Sequence, residues 1–185
     1  MDQKILVLLL SSIVVHVITK LVQYKVDAVK CYKNEKPLYD VFHEKMPTLK
    51  KYEKAIDFVP LLLALVVLYM YIYDGLNEQL INDLILNYAI LMILRVITFS
   101  ITILPSPICS KRSHPLAIGG CRDMIFSGHV TSMLLLAYTL YKHNPQYETA
   151  LILYCTIGSL LIIATRSHYT IDVIVAYIAV YAVLK

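Results

Sequence analysis

The sequence is poor in charge and lacks the patterns that mark linkers, repeats and zinc sites. Asp, Glu, Lys and Arg make up only 16% of its 185 residues, and no Gly/Ser linker, internal repeat or low-complexity tract occurs in it. The four cysteines form no CxxC pair, so a zinc site is not expected. Apart from Arg95, the basic residues lie in loops and at the ends of apolar runs. This distribution gives no indication of nucleic-acid binding.

Apolar residues dominate instead, at 58% of the chain. A soluble domain of this size does not need so much apolar surface, whereas a membrane protein does. We predict one all-α, polytopic membrane domain covering residues 1–185, built as a bundle of six transmembrane helices of roughly 17–25 residues each. The predicted spans are residues 5–22, 55–73, 80–104, 124–141, 149–165 and 169–184. No small-residue cleavage site follows the first apolar run, so we interpret that run as a retained helix and not as a signal peptide.

Six spans place two histidines at the same membrane face. If the N-terminus defines one face, loops 23–54, 105–123 and 166–167 lie on the other, where the helices of His129 and His168 begin. That face also carries most of the lysines and arginines, which by the positive-inside rule would put it in the cytosol. Residues that bind phosphate add to the same count, so the charge count is weak evidence for the orientation.

His168 and Asp172 are four residues apart and therefore share one face of a helix. A carboxylate at that spacing can accept the hydrogen of one imidazole nitrogen, which fixes the tautomer and leaves the other nitrogen free to attack. This pattern is typical of a histidine nucleophile, and the alternative is a histidine at a helix end with an incidental partner. Ionisable groups in so apolar a chain are costly, so we interpret the pair as functional.

Ser127, Gly128 and His129 indicate the beginning of a helix. Ser127 can cap that helix, and Gly128 lets a ligand approach the backbone. Free N–H groups and the helix dipole favour an anion such as phosphate, with His129 beside it as a proton donor. Two histidines with an orienting aspartate suit phosphoryl transfer without a metal, because one imidazole attacks phosphorus and the other protonates the departing alkoxide. We therefore predict neither a metal site nor a cofactor.

Four segments of the sequence together form a recognisable set of motifs. They are Pro37-Leu38-Tyr39-Asp40 with Phe42, Arg95-Val96-Ile97-Thr98 followed by Leu104-Pro105-Ser106-Pro107, the block from Cys121 to His129, and the block from His168 to Tyr177. In this order they resemble the Pro-Leu-Pro-Asp segment, the Arg…Thr…Leu-Pro-x-Pro signature, the Cys-Gly-Asp-x-x-x-Ser-Gly-His block and the last block of the sphingomyelin synthases. That family is a branch of the type 2 phosphatidic acid phosphatase superfamily.

The resemblance implies that His168 is the nucleophile, Asp172 its partner and His129 the acid/base. It also implies that a phosphocholine group moves from phosphatidylcholine to the enzyme, as a phosphohistidine, and then to ceramide, while diacylglycerol is released. The expected partners are a phospholipid donor, a ceramide or diacylglycerol acceptor and the membrane, with a second copy of the chain as a further candidate. In the family the site faces the lumen or the exterior, so we expect an endomembrane (Golgi or ER) or plasma-membrane protein with an exoplasmic site, against the charge count.

Five further residues are assigned to substrate binding: Asp123, Ser127, Gly128, Arg95 and Tyr169. Asp123 either caps the fourth helix or contacts a cationic choline. Arg95 either supports the floor of the chamber, pairs with an acid or contacts phosphate, because an intramembrane arginine needs a partner. Tyr169 packs either against choline through a cation–π contact or within the helix bundle.

Departures from the family pattern leave the head group open. Arg122 replaces a glycine, Val130 stands where threonine is frequent, and Arg166-Ser167 precede the second histidine where relatives tend to carry an acid. The added positive charge favours a more anionic head group or a lipid phosphate. Cys109 and Cys121 flank one loop and either form a disulfide or remain free thiols.

The main alternative function is a lipid phosphate phosphatase, in which water replaces the second alcohol. Such enzymes usually carry proline before Ser-Gly-His and arginine six residues before the second histidine, where this sequence has Phe126 and Ile162. An intramembrane serine protease would need glycine at the position of Ile125. A catalytically silent lipid-binding protein would not need all three catalytic positions.

Overall fold

The computed structural model describes residues 10, 13–15, 17–22, 36–108 and 124–185, which contain helices and no β-strand. The helices are α1 (Ile13–Val22), α2 (Val41–Lys45), α3 (Phe58–Tyr73), α4 (Glu78–Ile101), α5 (Gly128–His143), α6 (Glu148–Ala164) and α7 (Thr170–Leu184). Two 3₁₀ segments, Lys50–Asp57 and Pro145–Tyr147, lead into α3 and α6. The predictions for Asp123 and for the Cys109–Cys121 pair lie outside the described residues.

Helix α5 lies at the centre of the bundle, where it contacts α3, α4, α6 and α7. Two of its buried threonines bond within the helix, since Thr131 Oγ1 donates to the Ser127 carbonyl at 2.8 Å and Thr139 Oγ1 to the Leu135 carbonyl at 3.0 Å. Such bonds to the preceding turn let threonines occupy an apolar interior. Helix α5 can therefore be surrounded by protein without leaving these hydroxyls unpaired.

A glycine allows α6 to approach α5 closely. A Cβ atom on Gly158 would lie 2.6 Å from the Met133 sulfur and 3.0 Å from Val59 Cγ1, which leaves no room for a side chain. Small residues at helix contacts are typical of membrane bundles, where close packing of backbones supplies much of the association energy. Gly158 thus sets the distance between α6 and the central helix.

The surface of the bundle is apolar and several of its polar groups are inside. Ile178 on α7 and Leu153 on α6 are 62% and 56% exposed, whereas Asp172 and Ser127 are fully buried. Three helical segments are long and apolar enough to cross a membrane: Lys50–Tyr73, Glu78–Ile101 and Pro145–Ala164. The predicted all-α membrane architecture is confirmed at this level.

The count of six spans stays a prediction. Helices α5 and α7 have 16 and 15 residues, fewer than the ~20 that cross a bilayer core without help from neighbouring segments. The predicted span 124–141 also begins too early, because Ile125 has a φ of +80°, outside the helical range, and α5 begins at Gly128. At the other end of the preceding loop, α4 stops at Ile101 and not at residue 104.

Helices α3 and α5 run in the same direction and are joined at both ends. At their beginnings, His129 Nε2 lies 2.8 Å from Asp57 Oδ1, and at their ends His143 Nε2 lies 3.2 Å from Asp74 Oδ2. The first pair is sheltered by the bundle and the second is more exposed. Each His–Asp pair links a residue of α5 to one that flanks α3.

Candidate active site

His168 and Asp172 are in contact at the beginning of α7. His168 Nδ1 lies 3.1 Å from Asp172 Oδ2, and the two residues are 4% and 0% exposed. The four-residue spacing predicts this contact. Because the carboxylate accepts the hydrogen of Nδ1, the lone pair of His168 is on Nε2, which is the nitrogen available for attack.

Asp172 also holds the loop that leads into α5. Its Oδ1 accepts a hydrogen bond from the Ile125 N–H at 2.7 Å, and its backbone carbonyl accepts one from the Ser127 N–H at 3.2 Å. Ile125 is β-branched and has a φ of +80°, a conformation that is strained for such a residue and persists only where neighbours impose it. Asp172 therefore positions both segments that carry the histidines, which the sequence did not indicate.

His129 has its own carboxylate partner, Asp57, which the sequence analysis missed. Asp57 ends the 3₁₀ segment before α3, and its Oδ1 lies 2.8 Å from His129 Nε2. The two residues are 72 positions apart and belong to no shared motif, so only the common membrane face of their helices could have suggested the pair. With Nε2 bonded to Asp57, Nδ1 is the nitrogen of His129 that remains for proton transfer.

The two His–Asp pairs lie beside each other, with their imidazole rings edge to face. The ring centroids of His129 and His168 are 6.1 Å apart, and the ring planes are inclined by 64°. Each imidazole is thus oriented by one aspartate through one nitrogen, while its second nitrogen is not used in these contacts. The arrangement suits a group that is attacked from one side and protonated from the other.

Ser127 and Gly128 form the N-terminus of α5, as the motif predicts. The Ser127 side chain accepts a hydrogen bond from the Val130 N–H at 3.4 Å and is fully buried. The guanidinium of Arg95 lies against Gly128, where a Cβ atom would be 3.2 Å from Arg95 Cζ. The glycine therefore makes room for the arginine as well as exposing the backbone.

Arg95 reaches the level of the histidines from α4. Its Nε donates to the Phe126 carbonyl at 2.9 Å, and the residue is 7% exposed. A guanidinium beside a helix N-terminus concentrates positive potential, because the free N–H groups there carry partial positive charge. Such a site favours an anion, and a phosphate is the anion that the paired histidines suit.

Tyr169 is placed as a packing residue between three segments. Its hydroxyl donates to the Pro105 carbonyl and accepts from the Leu38 N–H, both at 2.9 Å, and its ring stacks on His43 with centroids 5.6 Å apart. Only 2% of Tyr169 is exposed. These contacts join the loop after α4, the segment before α2 and the N-terminus of α7.

The segment of residues 36–49 covers the histidine face of the bundle. Asp40 caps α2 through the Phe42 and His43 N–H groups and also accepts from the Thr170 N–H at 2.7 Å, so that one carboxylate caps two helices. Burial by itself raises the pKa of Asp40, but the hydrogen bonds from Thr170 and His43 outweigh it and hold the pKa below its usual value. Asp40 belongs to the Pro37-Leu38-Tyr39-Asp40 motif, but the sequence did not indicate that it joins α2 to α7.

His43 lies directly against the backbone of the proposed nucleophile. Its Nε2 is 3.1 Å from the His168 carbonyl. Burial lowers the pKa of His43, although the charge of Asp40 opposes this, so the imidazole is neutral near pH 7 and donates from Nε2. No sequence pattern pointed to His43, because its contact is with a backbone atom.

Arg166 fastens the covering segment to the turn between α6 and α7. It is 8% exposed, has a φ of +63°, and its Nη2 donates to the carbonyls of His43 and Met46. Its buried Nη1 has no hydrogen-bond partner among the residues that the structure describes. In the sequence Arg166 is only a departure from the family pattern, whereas in the structure its charge lies close to His43.

Comparison with known proteins matches the C-terminal part of the chain. Residues 120–184 match the family described as PAP2 superfamily C-terminal. A rice phosphatidylinositol:ceramide inositolphosphotransferase (Oryza sativa subsp. indica) is 41% identical over 63 residues, which are 33% of this chain and 19% of that protein. A putative phosphatidylcholine:ceramide cholinephosphotransferase 3 of Caenorhabditis elegans is 41% identical over 61 residues, 31% of this chain and 18% of that protein.

A human ceramide phosphotransferase is similar to the chain over a segment of about the same length. Phosphatidylcholine:ceramide cholinephosphotransferase 2 of Homo sapiens is 34% identical over 61 residues, 31% of this chain and 17% of its own length. The aligned part of the chain thus spans about a fifth of these relatives. Residues 120–184 match the PAP2 superfamily C-terminal family, and together with these relatives the match confirms the resemblance to the sphingomyelin synthase family that the sequence blocks carry.

Proposed function

We propose that the protein transfers a phosphorylated head group from a glycerophospholipid to ceramide through a phosphohistidine at His168. The observation that carries this proposal is the pair of facing imidazoles, 6.1 Å apart, each hydrogen-bonded to one aspartate. The names of these relatives give a phospholipid and ceramide as their substrates, which supports the same substrate classes here.

In the first step the His168 Nε2 attacks phosphorus. The N–P bond forms as the bond between phosphorus and the glycerol oxygen breaks, and His129 gives this oxygen a proton, so that diacylglycerol leaves. In the second step the primary hydroxyl of ceramide attacks the phosphohistidine, His129 takes its proton, and the N–P bond breaks to restore His168. The Arg95 guanidinium and the N-terminus of α5 stabilise the charge on the phosphoryl oxygens during both steps.

Phosphocholine is the head group that the resemblance implies, and inositol phosphate is the second candidate. Tyr169 is 2% exposed and stacked on His43, so its ring face is not available to a quaternary ammonium. The positive charges of Arg95 and Arg166 are also unfavourable to a cationic head group. These observations favour a head group without positive charge.

One assay tests the function and decides the head group. Purified protein in detergent receives labelled phosphatidylcholine or phosphatidylinositol, each with and without ceramide, and the lipid products are separated by thin-layer chromatography. Ceramide-dependent formation of a labelled sphingophospholipid supports the proposal, and the donor that gives it identifies the head group. Release of a water-soluble head group or phosphate that is unaffected by ceramide would instead identify a lipid phosphatase or phospholipase.

Asp57→Asn is expected to lower kcat on the order of 10²-fold, within the range of about 10²–10⁴ for losing general acid–base catalysis altogether. The amide no longer stabilises the imidazolium form of His129, so the pH–rate profile should also move to lower pH. Asp74→Asn is the matched control, because it changes the other aspartate that joins α3 to α5. A similar loss in both variants, with no change in the pH profile, would show that Asp57 acts only on stability.

Activity is expected to survive EDTA at concentrations that remove divalent cations from solution. The proposed steps use imidazoles, a guanidinium and a helix N-terminus to handle the proton and the phosphoryl charge, and no step requires a metal ion. The measurement is the rate of ceramide-dependent transfer before and after chelation. Inactivation that is reversed by one divalent ion would replace this mechanism with metal-assisted transfer.

A further inference from the structure

A cavity of about 360 Å³ between α3, α4 and α5 has its polar end at His129. Asp57 and His129 line that end, and the remaining walls are mostly apolar, with Leu61 from α3, Ile85 from α4 and Leu136 from α5 among them. His129 and Leu136 are seven residues apart on α5, so the cavity extends about 10 Å along the helix. It is therefore an apolar recess that runs from the acid/base into the apolar part of the bundle.

Two hydroxyl groups interrupt the apolar wall of this cavity. Ser132 and Tyr88 both line it and are half-buried. Within the part of the chain that the structure describes, neither hydroxyl has a hydrogen-bond partner. The threonines of α5 behave differently, since Thr131 and Thr139 donate to carbonyls one turn back. An unpaired hydroxyl in an apolar recess is unfavourable unless a ligand supplies its partner.

We propose that this cavity binds the lipid alcohol and that Ser132 and Tyr88 recognise the amide and secondary hydroxyl of ceramide. This inference rests on the proposed function, because it places the lipid alcohol on one side of the reacting phosphorus and the head group on the other. His129 exchanges its proton with the alcohol oxygen, so that oxygen and the chains attached to it must lie on the side of His129. The cavity begins at that residue, whereas His168 and the covering segment lie on the head-group side.

The position of Ser132 matches the chemistry of ceramide. It is three residues after His129, hence about 5 Å further along α5 and on the same side of the helix. The amide and the secondary hydroxyl of ceramide lie within a few bonds of the primary hydroxyl that reacts. A hydroxyl side chain can accept from the amide N–H or the secondary O–H and can donate to the amide carbonyl.

Diacylglycerol differs from ceramide at these atoms. Its ester groups accept hydrogen bonds but have no N–H and no secondary O–H to donate. Ser132 and Tyr88 would therefore hold the acceptor more firmly than the alcohol that leaves in the first step. This preference would favour the direction of transfer from glycerophospholipid to ceramide.

The kinetic test compares Ser132→Ala and Tyr88→Phe with the control Ser100→Ala. Ser100 is exposed on α4, its hydroxyl donates to the Val96 carbonyl, and it is not among the residues that line the cavity. Each cavity variant is expected to raise the KM for ceramide by between about three- and tenfold, the effect of one hydrogen bond. The control variant Ser100→Ala should leave the KM for ceramide unchanged.

A ceramide analogue whose amide is replaced by an ester supplies the second comparison. Wild-type protein should discriminate against this analogue, and at least one cavity variant should discriminate less, because the partner of the amide has been removed. Equal KM values for ceramide in all variants, or undiminished discrimination in both, would overturn the assignment of Ser132 and Tyr88.

Photolabelling separates failure of this inference from failure of the proposed function. A ceramide with a photoactivatable group next to its amide is bound to wild-type protein, and the labelled peptides are identified. Labelling of the α3, α4 and α5 residues that line the cavity, competed by unlabelled ceramide, supports the inference even if no transfer is detected. Labelling at the groove between α5, α6 and α7, near Tyr141 and Tyr181, would overturn it even if transfer occurs. If neither transfer nor competed labelling is detected, both the inference and the proposed function are overturned.

Discussion

His168→Ala is expected to abolish ceramide-dependent transfer and to leave no phosphorus label on the protein. The variant loses the imidazole whose free nitrogen is oriented by the buried Asp172, while the backbone carbonyl that accepts from His43 remains. His129→Ala should lower the rate on the order of 10²–10⁴-fold, because it removes the proton donor and not the nucleophile. The measurements are product formation and label retained on protein that is denatured in alkali, where phosphohistidine survives.

His143→Ala is the matched control for both variants. His143 is also a histidine of α5 paired with an aspartate, but it lies at the opposite end of the helix. It should keep wild-type-like turnover, and the thermal midpoints of all three variants show whether each is folded. A folded His168→Ala protein that still transfers the head group, or still retains the label, would remove His168 from the mechanism.

Asp172→Asn is expected to lower kcat by roughly 10⁴-fold, by analogy with the orienting aspartate of the serine proteases. The amide can present either its oxygen or its NH₂ group to His168, so the tautomer with the lone pair on Nε2 is no longer enforced. The Ile125 N–H, now 2.7 Å from Oδ1, loses a charged acceptor in the same variant. We expect a loss of stability on the order of 1–3 kcal/mol as well.

The kinetic and structural losses can be separated by two measurements. The rate reports the state of His168, whereas the unfolding midpoint reports the support of the strained loop at Ile125. Asp83→Asn serves as control, since Asp83 is an exposed residue of α4 that accepts from Gln79. A normal rate in a destabilised Asp172→Asn protein would show that another group orients His168.

Sequence could predict the contacts that lie within one element. The spacing of His168 and Asp172 predicts a shared helix face, and Ser127 was expected to cap the helix that it precedes, because both inferences require only local geometry. The partners of His129 and Thr170 could not be predicted in this way. Asp57 and Asp40 are 72 and 130 residues distant from them, and their contacts depend on how whole helices are arranged.

The predicted beginning of α5 was wrong at a strained residue, Ile125. Met124 to Phe126 continue an apolar pattern, and hydropathy alone predicts that the helix includes them. The +80° φ of Ile125 is held by a hydrogen bond to Asp172 on another helix. Residues 124–127 by themselves therefore do not indicate where the helix begins. The number of transmembrane spans was likewise inferred from apolar length, and α5 shows the limit of that rule, since a helix enclosed by four others need not be long.

The two ties between α3 and α5 have a consequence for the response of the protein to bilayer thickness. Helix α3 carries exposed apolar side chains such as Leu62 and Ile72, and a helix with such a surface adapts to the thickness of a bilayer by tilting. Because Asp57 and Asp74 join it to His129 and His143, α3 cannot slide along α5 without breaking a pair at each end. The two helices should tilt as one body, so that the acid/base histidine keeps its position relative to α3 in thin and thick membranes alike.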